Sequence, residues 1–130
     1  MIYSPRQELY DALYEASEQL GYDTYQFLPP AKTPYPFVVM GSMQSISSSL
    51  KTAIQDRVII TIHVWGDQEG WSKVDSMMME LEKVARNGFL TDHYRFQAQI
   101  NEFDAETMID DSVANTVLNH GLLTLSFLLS

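Results

Sequence analysis

The sequence contains no cysteine, which excludes disulfide bridges and zinc sites built on thiolates. It also lacks any uninterrupted apolar run near the roughly 20 residues that a membrane-spanning helix needs. The first residues show no basic region followed by an apolar one, so we expect no secretory signal. These absences predict a soluble protein with no membrane partner, and they fit a cytoplasmic location.

Basic residues are scarce, because 8 lysines and arginines stand against 17 aspartates and glutamates and give a net charge of −9. Proteins that grip nucleic acid neutralise its phosphates with clustered lysine and arginine, so specific nucleic-acid binding is not expected. An excess of negative charge maintains solubility. It also prevents adhesion to DNA that must slide past a surface. Composition alone does not choose between these two uses.

The chain carries no recognisable arrangement for catalysis or metal binding. Its three histidines, His63, His93 and His120, are about thirty residues apart, whereas a helical metal-binding pair needs a spacing of three or four. The acidic residues 104–111 lack the ligand pattern and central glycine of a calcium loop. We therefore expect no catalytic, cofactor-binding or metal-binding residue. The alternative is a small-molecule-binding module or an uncharacterised enzyme that uses a pocket between helices and sheet.

Two amphipathic helices are predicted from apolar residues at helical spacing. The first begins after Ser4, which can cap it, and ends near Leu20, where Gly21 suits a left-handed terminal position. The second begins near Trp71 and ends at Asn87 and Gly88.

Four strands are predicted, at residues 37–44, 57–65, 94–101 and 116–129, the last with a bulge at residues 119–121. The acidic residues 102–115 are expected to be irregular. The predicted fold is a single α+β domain over residues 1–130. It is a two-layer sandwich in which two helices cover one face of a mainly antiparallel four-stranded sheet, in the order α-β-β-α-β-β.

The second predicted strand is the most β-prone stretch of the chain and is apolar on both faces. Val58, Ile60 and Ile62 fall on one face, while Ile59 and Trp65 fall on the other. Both faces therefore need cover, which helices can supply on one side and another subunit on the other. The serine-rich residues 42–55 before this strand are too long for a tight turn, and we expect them to form a projecting arm or a mobile loop.

This hairpin resembles that of the tail-completion, or head-tail joining, proteins of tailed phages, which include the tail terminators. The resemblance lies in the strand Pro34-Tyr-Pro-Phe-Val-Val-Met-Gly41, in a Ser/Thr-rich loop containing Lys51, and in Thr61-Ile-His-Val-Trp65 leading into an amphipathic helix. It spans most of residues 4–87. The extra proline at Pro36 departs from the family pattern, and residues 87–130 have no match that can be assigned residue by residue.

The resemblance implies a non-enzymatic protein of the virion tail or neck, assembled in the cytoplasm of the bacterial host. Such a protein forms a ring of identical subunits, usually a hexamer, that caps the tail tube and joins it to the head while DNA passes through. Its partners would be copies of itself, the tail-tube protein and the head-connector protein.

A closed ring requires two different contact patches on each subunit. We expect these patches to be the arm and the sheet face that carries Ile59, Thr61 and His63. The apolar side chains of the arm could instead fold back on their own hairpin. The candidate subunit-interface residues are Met43, Ile46, Leu50, Lys51, Ile54, Ile59, Thr61 and His63.

Overall fold

The computed structural model describes residues 3–49 and 54–130. Helix α1 spans Pro5–Gln19 and helix α2 spans Trp71–Arg86, and a short 3-10 helix spans Ile100–Glu102. The strands are β1 (Thr24–Tyr25), β2 (Phe37–Ser49), β3 (Ile54–Gly66), β4 (Phe89–Leu90), β5 (Arg95–Ala98), β6 (Asp104–Asp110) and β7 (Leu118–Leu129).

The strands form one curled, mixed, seven-stranded sheet in the order β1-β2-β3-β7-β5-β4, with β6 paired to β7 beside β5. Strand β1 runs parallel to β2, and every other pair is antiparallel. The prediction of a mainly antiparallel four-stranded sheet in the order α-β-β-α-β-β is therefore wrong. Strands β1 and β4 are two residues long, too short for a periodic pattern to reveal. Strand β6 is acidic and mostly exposed, a composition that argues against a strand.

The helix termini lie where local chemistry predicts them. The Ser4 hydroxyl accepts a hydrogen bond from the Gln7 backbone N–H at 3.1 Å and caps α1. At the other end Gly21 adopts a φ of 91°. The Gly21 N–H donates to the Glu18 carbonyl and the Tyr22 N–H to the Ser17 carbonyl, so the last carbonyls of α1 are satisfied. Helix α2 likewise ends before Gly88, whose φ is 70°.

The β2–β3 hairpin is a longer ladder than predicted. Strand β2 continues to Ser49, which pairs with Ile54, so residues 42–49 and 54–55 belong to strands and not to a loop. A bulge between Met40 and Met43 shifts the register by one residue. This shift interrupts the alternation of apolar and polar residues by which a strand is recognised. The bulge predicted at residues 119–121 is absent, because β7 pairs with β3 in continuous register from Asn119 to Leu129.

The core lies between the helices and one face of the sheet. Helix α2 approaches this face at Gly121, where an added Cβ would collide with the Met78 sulfur and lie 2.9 Å from Val74 Cγ1. Glycine therefore allows helix and strand to approach closely at this point, and a larger residue would force Met78 or Val74 to shift. The fully buried apolar residues of the core include Leu9, Leu13, Val38, Val58, Ile60, Ile62, Val64, Val74, Leu81, Phe96, Leu123, Leu125 and Phe127.

Replacement of this glycine tests the seat of α2 on the sheet. We expect Gly121→Ala to lower the free energy of unfolding by about 1–3 kcal/mol, because the added methyl overpacks the contact with Val74 and Met78. Urea titration monitored by circular dichroism measures the change. Thr124→Ala, on the same strand but on the other face, serves as the control. Equal stability of wild type and Gly121→Ala would contradict this packing.

Candidate functional site

Within the described residues, neither α1 nor α2 packs on the second face of the sheet, since both contribute to the core on the first face. We call this second face the open face. Directly paired residues on β3 and β7 share a face, and successive residues alternate between faces. The open face therefore carries Ile59, Thr61, His63, Trp65, His120, Leu122 and Thr124, all half-buried.

A stack of three rings occupies the centre of the open face. The Trp65 and His120 rings are parallel within 2°, with centroids 3.9 Å apart, and the His63 ring follows with its centroid 5.0 Å from that of His120. His63 Nδ1 and His120 Nε2 lie 2.7 Å apart, within hydrogen-bond distance. One of these nitrogens must donate and the other must accept, so at least one imidazole is neutral.

The surroundings of the two histidines favour their neutral forms. Burial lowers the pKa of His63 below its ordinary value near 6.5. Burial and the neighbouring His63 also lower the pKa of His120, and the carboxylate of Asp110 opposes this shift only in part. The stack is therefore an uncharged, largely aromatic patch at neutral pH.

The threonine at the centre of β3 holds the bulge of β2 in place. The Ser42 backbone N–H donates to the Thr61 hydroxyl at 3.0 Å. A Cβ at Gly41 would collide with this hydroxyl and lie 3.0 Å from His63 Nε2, so Gly41 allows the bulge to approach β3 closely. The bulge thus determines which residues of β2 lie on the open face and which lie on the helix-covered face.

Acidic side chains line the rim of the open face along β6. Asp104 lies beside Thr124 and Glu106 beside Leu122, so both belong to the open face. Asp110 ends this row and accepts hydrogen bonds from the Ser112 N–H at 2.9 Å and hydroxyl at 2.6 Å, which lower the pKa of its carboxyl group. These carboxylates place negative charge along one side of the neutral stack.

An apolar cleft of about 220 Å³ continues the open face at one end. Its lining includes the rings of Tyr35, Phe37 and Trp65, together with Leu118 and the acidic Asp110. Tyr35 and Phe37 stack with centroids 5.1 Å apart. The preceding loop contributes Leu28 to the cleft wall, and this side chain is 68% exposed. The open face therefore combines aromatic area with exposed aliphatic groups.

The predicted interface residues do not all share one surface. Ile46, Ile59, Thr61 and His63 lie together on the open face, because Ile46 pairs with Arg57 after the bulge. Met43 pairs with Ile60 and lies on the helix-covered face, against the core. Ile54 begins β3 and pairs with Ser49. Leu50 and Lys51 lie outside the described residues.

His120, Leu122 and Thr124 were not predicted from sequence to lie on this surface. A strict alternation of faces along residues 118–129 would have placed them beside His63 and Thr61, but the bulge predicted at residues 119–121 disrupted that alternation. Glu106 was missed because its segment was expected to be irregular.

The third histidine is remote from the open face and serves to hold two segments together. His93 Nδ1 lies 2.7 Å from Glu8 Oε2, and the His93 backbone N–H donates to the same carboxylate at 3.2 Å. Burial raises the pKa of Glu8, but hydrogen bonds from Thr91 and His93 outweigh this effect and lower it. Within residues 3–49 and 54–130 no three histidine or acidic side chains are grouped to hold a metal ion. No helix in these ranges is long and apolar enough to cross a membrane.

No protein-family model matches the chain, and no curated protein matches its sequence. Solved structures do match it. One is a chain from a structure titled "Virion of native gene transfer agent (GTA) particle", with a TM-score of 0.67, 14% identity, and coverage of 99% of this chain and 100% of that chain. This chain has the fold of that virion chain. Another solved chain matches with a TM-score of 0.59 and 12% identity, over 96% of this chain and 92% of that one.

The pH dependence of stability tests the state of the two histidines on the open face. Their folded-state pKa values lie below the unfolded value near 6.5, so their contribution is present above that value and is lost as pH falls through the folded values. We expect urea titrations to show lower stability at about pH 5 than at about pH 7.5. His63→Asn and His120→Asn should each reduce this difference. His93→Asn, remote from the open face, should retain it, and an unchanged difference in all three variants would contradict the assignment.

Proposed function

We propose that this protein is a non-enzymatic structural component of a phage or prophage virion. The observation that carries the proposal is the similarity of fold, over nearly the full length of both chains, to a chain of a gene transfer agent virion. We further propose that identical subunits form a ring that caps the tail tube and joins tail to head, with DNA passing through. The resemblance of the hairpin to that of tail-completion proteins supports this ring.

The open face supports a role in assembly. An apolar and aromatic surface without cover on a monomer is typical of a surface that contacts another protein. Ile46 and Ile59 supply aliphatic contacts, while Thr61 and His63 supply polar groups beside them. We propose that this surface, together with the β2–β3 hairpin, is covered when subunits assemble with each other and with tail-tube and head-connector proteins.

The acidic charge supports the passage of DNA through such an assembly. With a net charge of −9 on each chain, a ring of subunits repels phosphates and does not hold DNA.

The alternative function, a small-molecule-binding module or an enzyme, requires a pocket between helices and sheet. In the described residues the centre of this space is filled by side chains such as Leu13, Ile60 and Leu81, none more than 1% exposed, and the clefts beside α1 are open at the surface. The two histidines of the open face bond to each other and to no nucleophilic side chain in the described part of the chain. These observations favour the structural role over a binding module or enzyme.

The state of the protein in solution tests this proposal. We expect light scattering to show assembly as the protein concentration rises or after purified tail tubes are added. Electron microscopy of the assembled protein should show closed rings. Ile46→Asp should weaken assembly roughly tenfold or more, because assembly would desolvate the new charge. Met79→Asp, at a residue that is 48% exposed on α2, is the matched control and should assemble normally.

Removal of the gene from its phage or prophage should leave heads and tails unjoined. The proposal fails if the protein remains monomeric at high concentration and also does not assemble with tail tubes. Circular dichroism of Ile46→Asp must show a native fold, so that loss of assembly is separated from loss of folding.

A further inference from the structure

Strand β2 has an unprotected outer edge. On that side β1 pairs only with Val38 and Val39, so residues 41–49 have no strand partner in the described part of the chain. This stretch contains neither a charged residue nor a proline. Natural edge strands are usually guarded by charges, prolines or short length, because their free N–H and C=O groups pair readily with another chain. A long neutral edge of this kind indicates a strand partner.

Space for a partner exists beside this edge. An open cleft of about 490 Å³ lies between the start of α1 and β2, lined by Arg6, Tyr10, Gln26 and Met43 among others.

Strand β6 offers a second free edge, on the opposite side of the sheet. Among the described residues it pairs with β7 alone, and Asp104, Ala105, Glu106 and Thr107 are all exposed. Unlike the edge of β2, this edge is strongly acidic. Two β6 edges would repel each other, so the acidic residues disfavour a symmetric β6–β6 dimer and leave the neutral β2 edge as the compatible partner.

The strand directions agree with joining these two edges head to tail. Strands β2, β3, β7 and β6 alternate in direction, each antiparallel to the one before. A rotation about an axis roughly along the strands preserves their directions. The β6 of a neighbouring subunit would therefore run antiparallel to β2, and the alternation would continue from subunit to subunit. A contact between unlike patches of this type closes into a ring.

The position of β6 along the sheet requires a stagger between subunits. Ala105 lies level with Met40 through Leu123 and Ile62. Strands of closed sheets tilt by about 35–45°, and neighbouring strands are about 4.8 Å apart, so four strands produce a displacement of roughly 13–19 Å, or about four to six residues. If this displacement is toward the Ser49 end of β2, and the extra residue of the bulge is counted, Ala105 would lie opposite residues 45–47.

Charge complementarity supports the same arrangement. Arg57 lies on the open face beside Ile46, one strand from the free edge, and makes no ion pair with another described residue. Asp104 and Glu106 lie on the open face of the partner edge. When the two edges join, the open faces of the two subunits lie on the same side of the joined sheet. The carboxylates are then within two strand spacings of the guanidinium, which long side chains can span.

We propose that β6 of one subunit pairs with residues 41–49 of β2 in the next, so that the sheets of successive subunits join edge to edge around the assembly. The partner is a second copy of this chain. This inference rests on the proposed self-assembly and names the strands that carry it.

Cysteine cross-linking tests the pairing without background, because the chain has no cysteine. Ala105→Cys is combined in turn with Ser45→Cys, Ser47→Cys or Met43→Cys, all on the helix-covered face, and the proteins are oxidised gently. A disulfide requires Cβ atoms about 3.8 Å apart, so only directly opposed positions react efficiently. We expect a ladder of covalent multimers with Ser45→Cys or Ser47→Cys. Ala105→Cys with Lys73→Cys, an exposed residue of α2, is the control and should give no ladder.

The outcomes separate this inference from the proposed function. Assembly by light scattering without a ladder in any of the three pairs would overturn the edge pairing but leave the ring. Covalent dimers formed by the single variant Ser45→Cys would indicate a symmetric β2–β2 contact. This result would also overturn the pairing of β6 with β2. Failure to assemble at all, alone or with tail tubes, would overturn both.

A charge reversal provides a second readout of the same contact. Arg57→Glu and Glu106→Arg should each weaken assembly by roughly two- to fivefold, as expected for an exposed ion pair, and the double variant should recover most of the loss. Arg95→Glu, an exposed position on β5, is the control. Equal assembly by wild type and both single variants would contradict the pairing of these charges.

Discussion

Strand β3 is apolar on both of its faces, and this single constraint organises the molecule. One face is satisfied within the chain, since Ile60, Ile62 and Val64 are fully buried beneath the two helices. The other face has no cover from either α-helix in the described residues, and its side chains from Ile59 to Trp65 remain half-buried. Apolar area in this state is an incomplete core, because its transfer from water stabilises a structure only when something covers it. The fold therefore favours a partner.

The chemistry of the open face suits a surface that is covered during assembly. Two histidines held neutral by burial, with a tryptophan stacked on one of them, present polar atoms without the desolvation cost of a fixed charge. The charges are instead placed at the rim, on β6, where solvent still reaches them. Interfaces between proteins commonly show this division between an aromatic centre and a polar rim. The bulge at Gly41 and Ser42 contributes by placing Ile46 on this side of the sheet and Met43 on the other.

Local chemistry made part of this structure predictable from sequence. The caps at Ser4 and Gly21 and the apolar stripe of α2 depend on residues within a few positions of each other, and they were predicted correctly. The strand β6 was not, because its stability comes from pairing with β7 and not from its own acidic residues. The length of β2 was missed because a bulge, fixed by the distant Thr61, changes the face of every later residue. For the same reason sequence identified His63 and Thr61 on the open face but not their cross-strand neighbours.

Oxidative footprinting of the assembled and unassembled protein tests the central claim, that assembly covers the open face. The chain has two tryptophans, and they report on opposite sides: Trp65 lies on the open face and Trp71, 51% exposed, on α2. Met108 beside His120 and Met79 on α2 provide a second such pair. We predict that assembly protects Trp65 and Met108 from oxidation while Trp71 and Met79 react as before. Protection of Trp71 and Met79 with no change at Trp65 would contradict the account.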